Sequence, residues 1–492
     1  MRRGGRRGVG QRVTGADLLV ETLRMHGVKT IFSLSGNQIL SVYDATIGRG
    51  IDLLHTRHEA AATHMADGWG RLTESPGVAL VTAGPGHLNA VGALYSALMA
   101  ESPMVLLSGH APRAQRGRGA FQEMDQAGAA RPVVKAAWVA ESADGLGDDI
   151  ARAFALATSG RPGPVHVSLP GDLLEMKVAE ARDVPRPVRL EAPRLADVVV
   201  RRVLDLLGEA KRPLMLLGPA MARARRRAVV ARITEITGVP SLVMESPRGV
   251  NDPALHAASA CLPEADVVLL LGKALDYSVR FGQPPAVASG ARLIRIDVDA
   301  ITSERLVLSA AADPGLAAEQ LATAASGRAW QRTAWAEELE QARTMRPAAW
   351  SALAREDRQP LHPLRVCAAI QPLLDQGGLL VADGGEFGQW AQAGLDAETR
   401  MINGLSGSIG SAIPLALAAK LAQPQRAVAC ELLPARYDRV VEALGGHGEH
   451  VERAEDLAPA LARAVASGKP ACVDVTIDGV PAPTYRTTPG GH

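Results

Sequence analysis

The spacing of apolar residues at the start of the chain predicts a helix followed by a strand. Thr14 and Asp17 form a capping pattern, and apolar residues follow at helical spacing as far as Met25. Gly27 then ends the helix, and residues 30–34 have the apolar composition of a strand. A helix that leads into a strand is the first step of an alternating α/β arrangement.

The next segments predict parallel strands that are joined by a helix. Residues 78–82 read as an apolar strand and residues 83–86 as a turn, and residues 89–100 have the pattern of a helix. Further strands are predicted at residues 104–108 and 165–169. Because a strand, a helix and a second strand in close succession form a crossover, the sheet is predicted to be parallel.

Two further α/β blocks follow a proline-rich linker at residues 185–193. Their predicted strands lie at residues 214–217, 267–271, 293–296, 379–382, 427–430 and 471–477, and helical segments are predicted at residues 319–355 and 437–444. The predicted fold class is therefore α/β, with three doubly wound parallel-sheet domains. The predicted boundaries are 1–13 for a disordered tail, 14–180, 190–325 and 361–480 for the domains, 326–360 for a helical linker and 481–492 for a second tail.

Composition narrows the class of protein and its location. A length of 492 residues fits three domains of about 150 residues each. The net charge of +1 and the aromatic content of 3% argue against a nucleic-acid partner, and no apolar run is long enough to span a membrane. The four cysteines lie far apart and form no CxxC pair, which predicts a reducing, cytoplasmic location.

The segment RHEAAATHMADGWGR, residues 57–71, is a candidate for chemistry at a junction between a strand and a helix. Glu59 precedes three alanines, and a carboxylate among such small residues would be partly removed from water, which suits it to share a proton with a ring nitrogen. A helix-terminal glutamate that only favours the helix dipole explains the same pattern. His58 and His64 are six residues apart, so they do not form the HExxH motif of a zinc protease. No GxSxG motif of a serine hydrolase occurs.

Two other segments could contact a ligand. In TAGPGHLNA, residues 82–90, Pro85 and Gly86 let the backbone approach a ligand and Asn89 offers an amide in the first helical turn, although an ordinary turn has the same residues. Asp297 and Asp299 follow a strand and could hold a ribose or only cap the strand end.

Taken together and in this order, these segments resemble one known family. The resemblance rests on the segments GADLLVETLRMHGV, RHEAAATHMADGWGR, VALVTAGPGHLNAV, GAFQEMD, RPGPVHVSLPGDLL, VADGGEFGQWAQA and NGLSGSIGSAIPLALAAK. The chain is similar to the thiamine-diphosphate-dependent enzymes of the acetolactate synthase, benzaldehyde lyase and 2-hydroxyacyl-CoA lyase group. The resemblance implies a pyrimidine-binding domain, a central domain and a diphosphate-binding domain, of which the third is truncated here.

The resemblance also implies roles for individual residues. Glu59 would contact the aminopyrimidine nitrogen of thiamine diphosphate and activate the cofactor, and Phe121 and Gln122 would face the substrate. Further residues would contact the cofactor: Pro85, Asn89, Gly385, Glu386, Phe387, Ser408 and Ile409. The substrate would be a 2-keto acid or an acyl-CoA, and the assembly a homodimer or homotetramer. The short central domain argues against FAD.

The segment QRAVACELLPARYDRV, residues 425–440, departs from the family pattern. In the family pattern, a GDG motif after the strand at 427–430 and a later asparagine would supply oxygen ligands to the Mg²⁺ ion that binds the diphosphate. No GDG follows that strand, and no asparagine lies beyond Asn403. We therefore expect that a helix and a strand of roughly 50 residues are missing, and we assign no metal ligand, although Asp383, Glu386, Glu431 and Asp438 lie nearby in sequence.

Two hypotheses follow. The chain is either an active enzyme that forms or breaks a C–C bond beside a carbonyl, or a catalytically degenerate paralogue that lost its Mg²⁺-diphosphate site and acts as a binding or oligomer-partner protein.

Overall fold

The computed structural model describes residues 13–178, 184–188, 190–424, 427–429 and 436–478, with residues 427–429 described by their backbone alone. It divides into two compact units, Met1–Ala192 and Pro193–His492. No helix among the described residues is both long and apolar enough to cross a membrane.

The first unit is built on one six-stranded parallel sheet. Its strands are β1 (Thr30–Ser33), β2 (Asp52–His55), β3 (Gly77–Val81), β4 (Met104–His110), β5 (Ala136–Val139) and β6 (Pro164–Pro170). Its helices are α1 (Gly15–Met25), α2 (Leu40–Thr46), α3 (Glu59–Thr73), α4 (Pro85–Met99), α5 (Gln126–Ala130), α6 (Leu146–Thr158) and α7 (Gly171–Glu175). The strand order is β2-β1-β3-β4-β6-β5, and β3, β4 and β6 are buried along their whole length, as expected for a parallel sheet covered on both faces.

The second unit begins with a five-stranded parallel sheet. Its strands are β7 (Pro213–Leu217), β8 (Ser241–Val243), β9 (Val267–Leu271), β10 (Arg292–Asp297) and β11 (Leu306–Ala311), in the order β11-β10-β9-β7-β8. The helices are α8 (Asp197–Gly208), α9 (Ala224–Thr237), α10 (Ala258–Cys261), α11 (Pro314–Ala325), α12 (Trp335–Thr344) and α13 (Trp350–Leu353).

The last block of the second unit carries two separate parallel sheets among its described residues. Its strands are β12 (Leu379–Ala382), β13 (Arg400–Ile402), β14 (Ala427–Ala429), β15 (His447–Val451) and β16 (Ala471–Val475). Its helices are α14 (Pro363–Asp375), α15 (Glu386–Gly394), α16 (Ala412–Ala422), α17 (Tyr437–Ala443) and α18 (Ala454–Ala466). One sheet has the order β13-β12-β14, and the other pairs β15 with β16.

Direct contacts join this last block to the five-stranded sheet region of the same unit. The Arg400 guanidinium binds the Glu245 carboxylate at 2.8 Å, and the Tyr277 hydroxyl donates to the Leu405 carbonyl at 2.7 Å. The sequence predicted a linker at residues 326–360 between two domains. The structure keeps the residues on both sides of that linker within one compact unit.

The structure confirms the parallel α/β fold and corrects two helix predictions. Helix α4 begins at Pro85, four residues earlier than residue 89, because proline is favourable in a first helical turn. The single helical connection predicted at residues 319–355 is instead three helices, α11, α12 and α13, separated near Gly327 and Pro347. Cys430, the predicted end of β14, lies outside the described residues.

Candidate functional site

The carboxyl ends of β2, β3 and β4 carry the residues that the sequence singled out in the first unit. Ligands of open α/β sheets bind at this edge, because the loops after parallel strands all leave the sheet there. The helices α3 and α4 begin after β2 and β3 respectively, so their first turns also lie at this edge.

Glu59 is the first residue of α3, and its carboxylate is held from one side. The side chain of His58 caps the helix by accepting the Ala60 backbone N–H at 3.1 Å. Glu59 is only 7% exposed, and its Oε2 accepts a hydrogen bond from Asn89 Nδ2 at 3.0 Å. This bond brings together two predicted residues that are 30 positions apart in the chain.

The turn before α4 makes the space beside this carboxylate. Gly84 has φ +56°, a conformation that favours glycine, and its N–H donates to Gln126 Oε1 at 2.9 Å. A Cβ on Gly86 would lie 3.3 Å from Glu59 Oε1 and 2.6 Å from Thr82 Cγ2. The glycine at position 86 therefore keeps the backbone close to Glu59 Oε1 with no side chain between them.

The loop that contains Phe121 and Gln122 is fixed by its own carboxylate. Glu123 accepts the backbone N–H groups of Gly117, Gly119 and Ala120, which lower the pKa of its carboxyl group. Gln122 then lies against the turn, since a Cβ on Gly84 would meet the Gln122 carbonyl oxygen at 2.7 Å. Phe121 is 74% exposed.

Two residues of this site, Gln38 and Thr82, were not predicted from the sequence. Thr82 Oγ1 donates to Gln38 Oε1 at 2.6 Å, and Gln38 Nε2 donates to Gln122 Oε1 at 3.0 Å. The available signal was weak, because SGNQ after a strand has the composition of an ordinary loop. The contact itself joins residues that are 84 positions apart, and it depends on how the loops after β1 and β4 pack against each other.

Buried neutral histidines support the first turn of α4. His87 Nδ1 lies 2.9 Å from Ser108 Oγ, and the rings of His87 and His166 are 4.4 Å apart. Burial lowers the pKa of His87 to about 4 and lowers the pKa of His166 well below its ordinary value. Both rings are therefore uncharged at neutral pH, and His166 on β6 packs against His87 in the first turn of α4.

The last block brings its predicted residues together around Asp383. This buried carboxylate follows β12 and accepts the backbone N–H groups of Gly384 at 2.7 Å, Gly410 at 2.9 Å and Ala412 at 3.1 Å. It thus fixes the glycine- and serine-rich loop before α16 against the turn before α15. Asp383 therefore has a structural role, which is to fix the loop before α16.

The predicted diphosphate-side residues lie on these two segments. Gly385 has φ +94° and caps α15, which starts at Glu386, and Phe387 is half-buried in the packing of that helix. Ser408 donates its backbone N–H to Ser406 Oγ at 3.3 Å. Ile409 is 73% exposed, and its Cγ2 lies 2.6 Å from the position that a Cβ on Gly384 would take.

Two acidic positions that the sequence left open have partners within the protein. Arg295 donates to Asp297 Oδ2 at 2.9 Å and to Asp299 Oδ1 at 2.7 Å, so both acids form ion pairs at the end of β10. The structure therefore favours a structural role for them over a ribose site.

Asp438 also has a protein cation as its partner. Within the described part of the chain, ligand atoms of Asp438, His450 and Asp474 lie within 4.8 Å of one another. The Arg436 guanidinium donates to both Asp438 oxygens, at 2.9 and 2.7 Å, and lowers the pKa of that carboxyl group to about 2. These contacts explain the cluster as an ion pair beside a cross-strand His–Asp contact.

The residues of the first unit suit the pyrimidine ring of thiamine diphosphate better than those of the last block suit a metal ion for its diphosphate. The first unit offers a buried carboxylate, Glu59, with a glycine beside its open oxygen, which suits a flat ring with a nitrogen to be protonated. In the last block the buried Asp383 carboxylate already accepts three backbone N–H groups, so it has little capacity left for a metal ion.

Comparisons with known proteins agree with this geometry. Residues 13–129 match the thiamine pyrophosphate enzyme, N-terminal TPP binding domain, and residues 200–321 match the thiamine pyrophosphate enzyme, central domain. The acetolactate synthase large subunit IlvG of Mycobacterium tuberculosis is 34% identical over 527 residues, covering 94% of this chain and 95% of the relative.

Two further relatives are more distant. The 2-hydroxyacyl-CoA lyase 2 of Homo sapiens is 31% identical, covering 85% of this chain and 73% of the relative. The acetolactate synthase isozyme 3 large subunit of Escherichia coli is 30% identical, covering 85% of this chain and 77% of the relative. The chain therefore belongs to the thiamine pyrophosphate enzyme family, in the group that includes acetolactate synthases and 2-hydroxyacyl-CoA lyases.

Proposed function

We propose that this protein uses thiamine diphosphate to form or break a C–C bond beside a carbonyl in a 2-keto acid or 2-hydroxyacyl substrate. The observation that carries the proposal is the buried Glu59 carboxylate, which is bonded to Asn89 and faces Gly86. The two substrate classes correspond to the printed names of the relatives, acetolactate synthase and 2-hydroxyacyl-CoA lyase.

Glu59 is the group that would exchange a proton with the ring nitrogen of the cofactor. Asn89 donates to Oε2, so this oxygen is fixed and Oε1 is the one that faces the space beside Gly86. Burial removes water that would otherwise compete for the shared proton. When bound, the cofactor would supply a nucleophilic carbon for addition to a substrate carbonyl.

Substrate selection is proposed for the loop after β4. Gln122 lies against the turn that also carries Gly86, and the exposed Phe121 precedes it. An amide beside a flat apolar ring suits a small polar substrate, and the adjacent ring could equally cover the acyl chain of a thioester. The chemistry of these two residues therefore fits either substrate class.

We propose that the protein assembles at least as a homodimer. Two helices, one in each unit, expose apolar residues at helical spacing: Leu88 and Tyr95 on α4, and Ile413, Leu417 and Leu421 on α16. Such stripes are typical of faces that pack against another surface. In the resembling family the cofactor lies between subunits, so a second copy would complete the site.

A catalytically degenerate protein is the second candidate function, and the last block favours it. The strands of the first sheet, numbered along the chain, have the spatial order 2-1-3-4-6-5. If β12, β13 and β14 are numbered 1, 2 and 3, and β15 and β16 are numbered 5 and 6, the last block has the order 2-1-3 in one sheet and 5-6 in the other. Among the described residues, no strand of the last block takes the position that corresponds to β4 in the first sheet. The alignment with the Mycobacterium tuberculosis relative runs over 527 residues, more than the 492 of this chain, so the relative contains residues that have no counterpart here.

Turnover by the purified homomer separates the two candidates. The chain is incubated with thiamine diphosphate, Mg²⁺ and either pyruvate or a 2-hydroxyacyl-CoA, and the products are identified by mass spectrometry. Cofactor-dependent acetolactate or a cleaved acyl-CoA supports the enzyme. No product from either substrate, with cofactor bound, supports the degenerate protein and contradicts the enzyme.

A further inference from the structure

We propose that Gln38 is a positioning residue that determines which end of the Gln122 amide faces the substrate. The proposal rests on the proposed function, because it names the group that the same site recognises. Thr82 Oγ1, Gln38 and Gln122 Oε1 form one chain of hydrogen bonds, with distances of 2.6 and 3.0 Å.

The backbone around Gln38 leaves this side chain little room to move. A Cβ on Gly109 would lie 2.6 Å from the Gln38 Cβ, and a Cβ on Gly36 would lie 2.3 Å from the Thr82 Cβ. Real Cβ atoms do not approach so closely, so the glycines at position 36, after β1, and at position 109, within β4, let the backbone pack closely against Thr82 and Gln38. The half-buried Gln38 side chain therefore packs against β4 and is bonded to both Thr82 and Gln122.

Gln122 is held by its backbone as well as by its side chain. It has φ +58°, a left-handed conformation that is uncommon for a residue with a side chain. Its carbonyl oxygen, Cβ and Cα lie within 3.1 Å of the position that a Cβ on Gly84 would take. Such local strain persists where the surrounding structure holds the residue in place. Here the glycine turn holds the backbone and Gln38 holds the side chain.

The chain of bonds has one direction. The Thr82 hydroxyl donates to Gln38 Oε1, so the Nε2 group of Gln38 is the one that meets Gln122. Gln122 must then present its Oε1 to Gln38, and its own Nε2 is directed away from Gln38. An amide nitrogen offers two N–H donors and no acceptor.

The group recognised by Gln122 is therefore an acceptor. The carboxylate or carbonyl oxygen of a 2-keto acid has this chemistry. A substrate hydroxyl that had to donate its proton would find no acceptor at Gln122. Gln38 thus selects substrates indirectly, by fixing the orientation of a neighbouring amide.

The chemistry of the Gln38 side chain suggests a variant that reverses this orientation. In Gln38→Glu, the ionised carboxylate can accept from Thr82 but cannot donate to Gln122. Gln122 would then turn its Nε2 toward the introduced carboxylate and present its oxygen to the substrate carboxylate. Loss of one hydrogen bond together with the repulsion predicts a KM for pyruvate that is raised roughly tenfold or more, with a smaller change in kcat.

Lowering the pH tests the same idea without changing the sequence again. Once protonated, the introduced carboxyl group carries an O–H donor, so it can donate to Gln122 Oε1 as the glutamine does. The KM of Gln38→Glu is therefore expected to approach that of the wild type as the pH falls through the pKa of the introduced carboxyl group. Gln38→Met has no donor at any pH, and it is expected to keep a raised KM throughout.

Pyruvate contact measured by saturation-transfer NMR provides a readout that does not need turnover. The wild type, Gln38→Glu and Gln38→Met are compared with thiamine diphosphate and Mg²⁺ present, at two pH values, after thermal melts confirm that each variant is folded. Pyruvate contact that is lost in Gln38→Glu at high pH and regained at low pH supports the proposal. This result stands even if no product forms, which would count against the proposed function alone.

The opposite outcomes are equally clear. Equal pyruvate contact and equal KM in all three proteins would overturn the proposal. A loss in Gln38→Glu that is the same at both pH values would also overturn it, because a merely structural role of Gln38 predicts that result. Absence of pyruvate contact in the wild type would remove the group that Gln122 is proposed to recognise and would overturn it as well.

Discussion

At the scale of single residues, the site depends on contacts between positions that are far apart in sequence. The alanines that follow Glu59 were enough to predict a carboxylate removed from water, and the structure confirms its burial. Its bond to Asn89 was not predictable from spacing, because the two residues lie on different helices, α3 and α4. Gln38 was missed for the same reason, since its partners Thr82 and Gln122 follow other strands.

Glu59→Gln should separate cofactor binding from cofactor activation. The amide keeps the size of the side chain and can still donate a hydrogen bond to a ring nitrogen, but it cannot exchange a proton at neutral pH. We expect binding of thiamine diphosphate within a few-fold of the wild type and a loss of turnover of roughly 100-fold or more. The measurements are calorimetric titration and steady-state kinetics.

The matched control is Glu141→Gln, a change at an exposed glutamate that pairs with Arg116 on the surface. We expect it to leave both quantities unchanged. Wild-type turnover in Glu59→Gln would show that Glu59 has no part in proton exchange.

At the scale of elements, the glycine turn between β3 and α4 determines the shape of the site. The sequence predicted a helix from residue 89, and the structure starts it at Pro85, so the turn is shorter than expected. The residue types TAGPGH indicated a turn. They did not show that Gly84 touches Gln122 or that Gly86 faces Glu59, because both contacts depend on how the neighbouring loops pack.

Gly84→Ala should destabilise this turn both by backbone strain and by a close contact with Gln122. An alanine there would have to adopt φ +56° and would place its Cβ 2.7 Å from the Gln122 carbonyl oxygen. The backbone strain costs about 1–2 kcal/mol, and the close contact adds to it. We expect a lower thermal unfolding temperature together with weaker pyruvate contact, because Gln122 is displaced.

Gly48→Ala separates the two causes. Gly48 has φ +74°, and nothing lies within 4 Å of a Cβ placed there. It should show a similar cost of strain, in differential scanning calorimetry, with no change in pyruvate contact. Equal effects of both variants on pyruvate contact would contradict the role assigned to the turn.

At the scale of the whole molecule, the parallel α/β class was predictable and the order of strands was not. Apolar runs such as residues 267–271 and 379–382 coincide with β9 and β12 because buried parallel strands are apolar throughout. Strands β5, β8, β11, β13 and β15 were not predicted; β8 and β13 have only three residues each, and β15 has a single apolar residue. The strand order emerges only from pairing, and among the described residues this order separates β12, β13 and β14 from β15 and β16 in the last block.

Restoring a strand to the last block should restore a response to magnesium. The segment of the Mycobacterium tuberculosis relative that aligns between β14 and α17 is inserted in place of residues 430–435. If that segment folds as a helix and a strand, the two small sheets should join, and binding of thiamine diphosphate should become Mg²⁺-dependent and at least tenfold tighter.

A glycine- and serine-rich insert of the same length is the control, since it adds a flexible chain with no strand. It should give no such change. If the native segment and the flexible insert behave alike, the interrupted-sheet account of the last block is wrong.

The most direct test of the central claim is calorimetric titration of the purified chain with thiamine diphosphate, with and without Mg²⁺, alongside Glu59→Ala. We predict saturable binding to the wild type that is weakened at least tenfold in Glu59→Ala, because this change removes the buried carboxylate that we propose as the contact for the pyrimidine ring. The difference made by Mg²⁺ then shows how much the last block still contributes. No binding to the wild type in either condition, or equal binding by the wild type and Glu59→Ala, would contradict the claim that this site holds the cofactor.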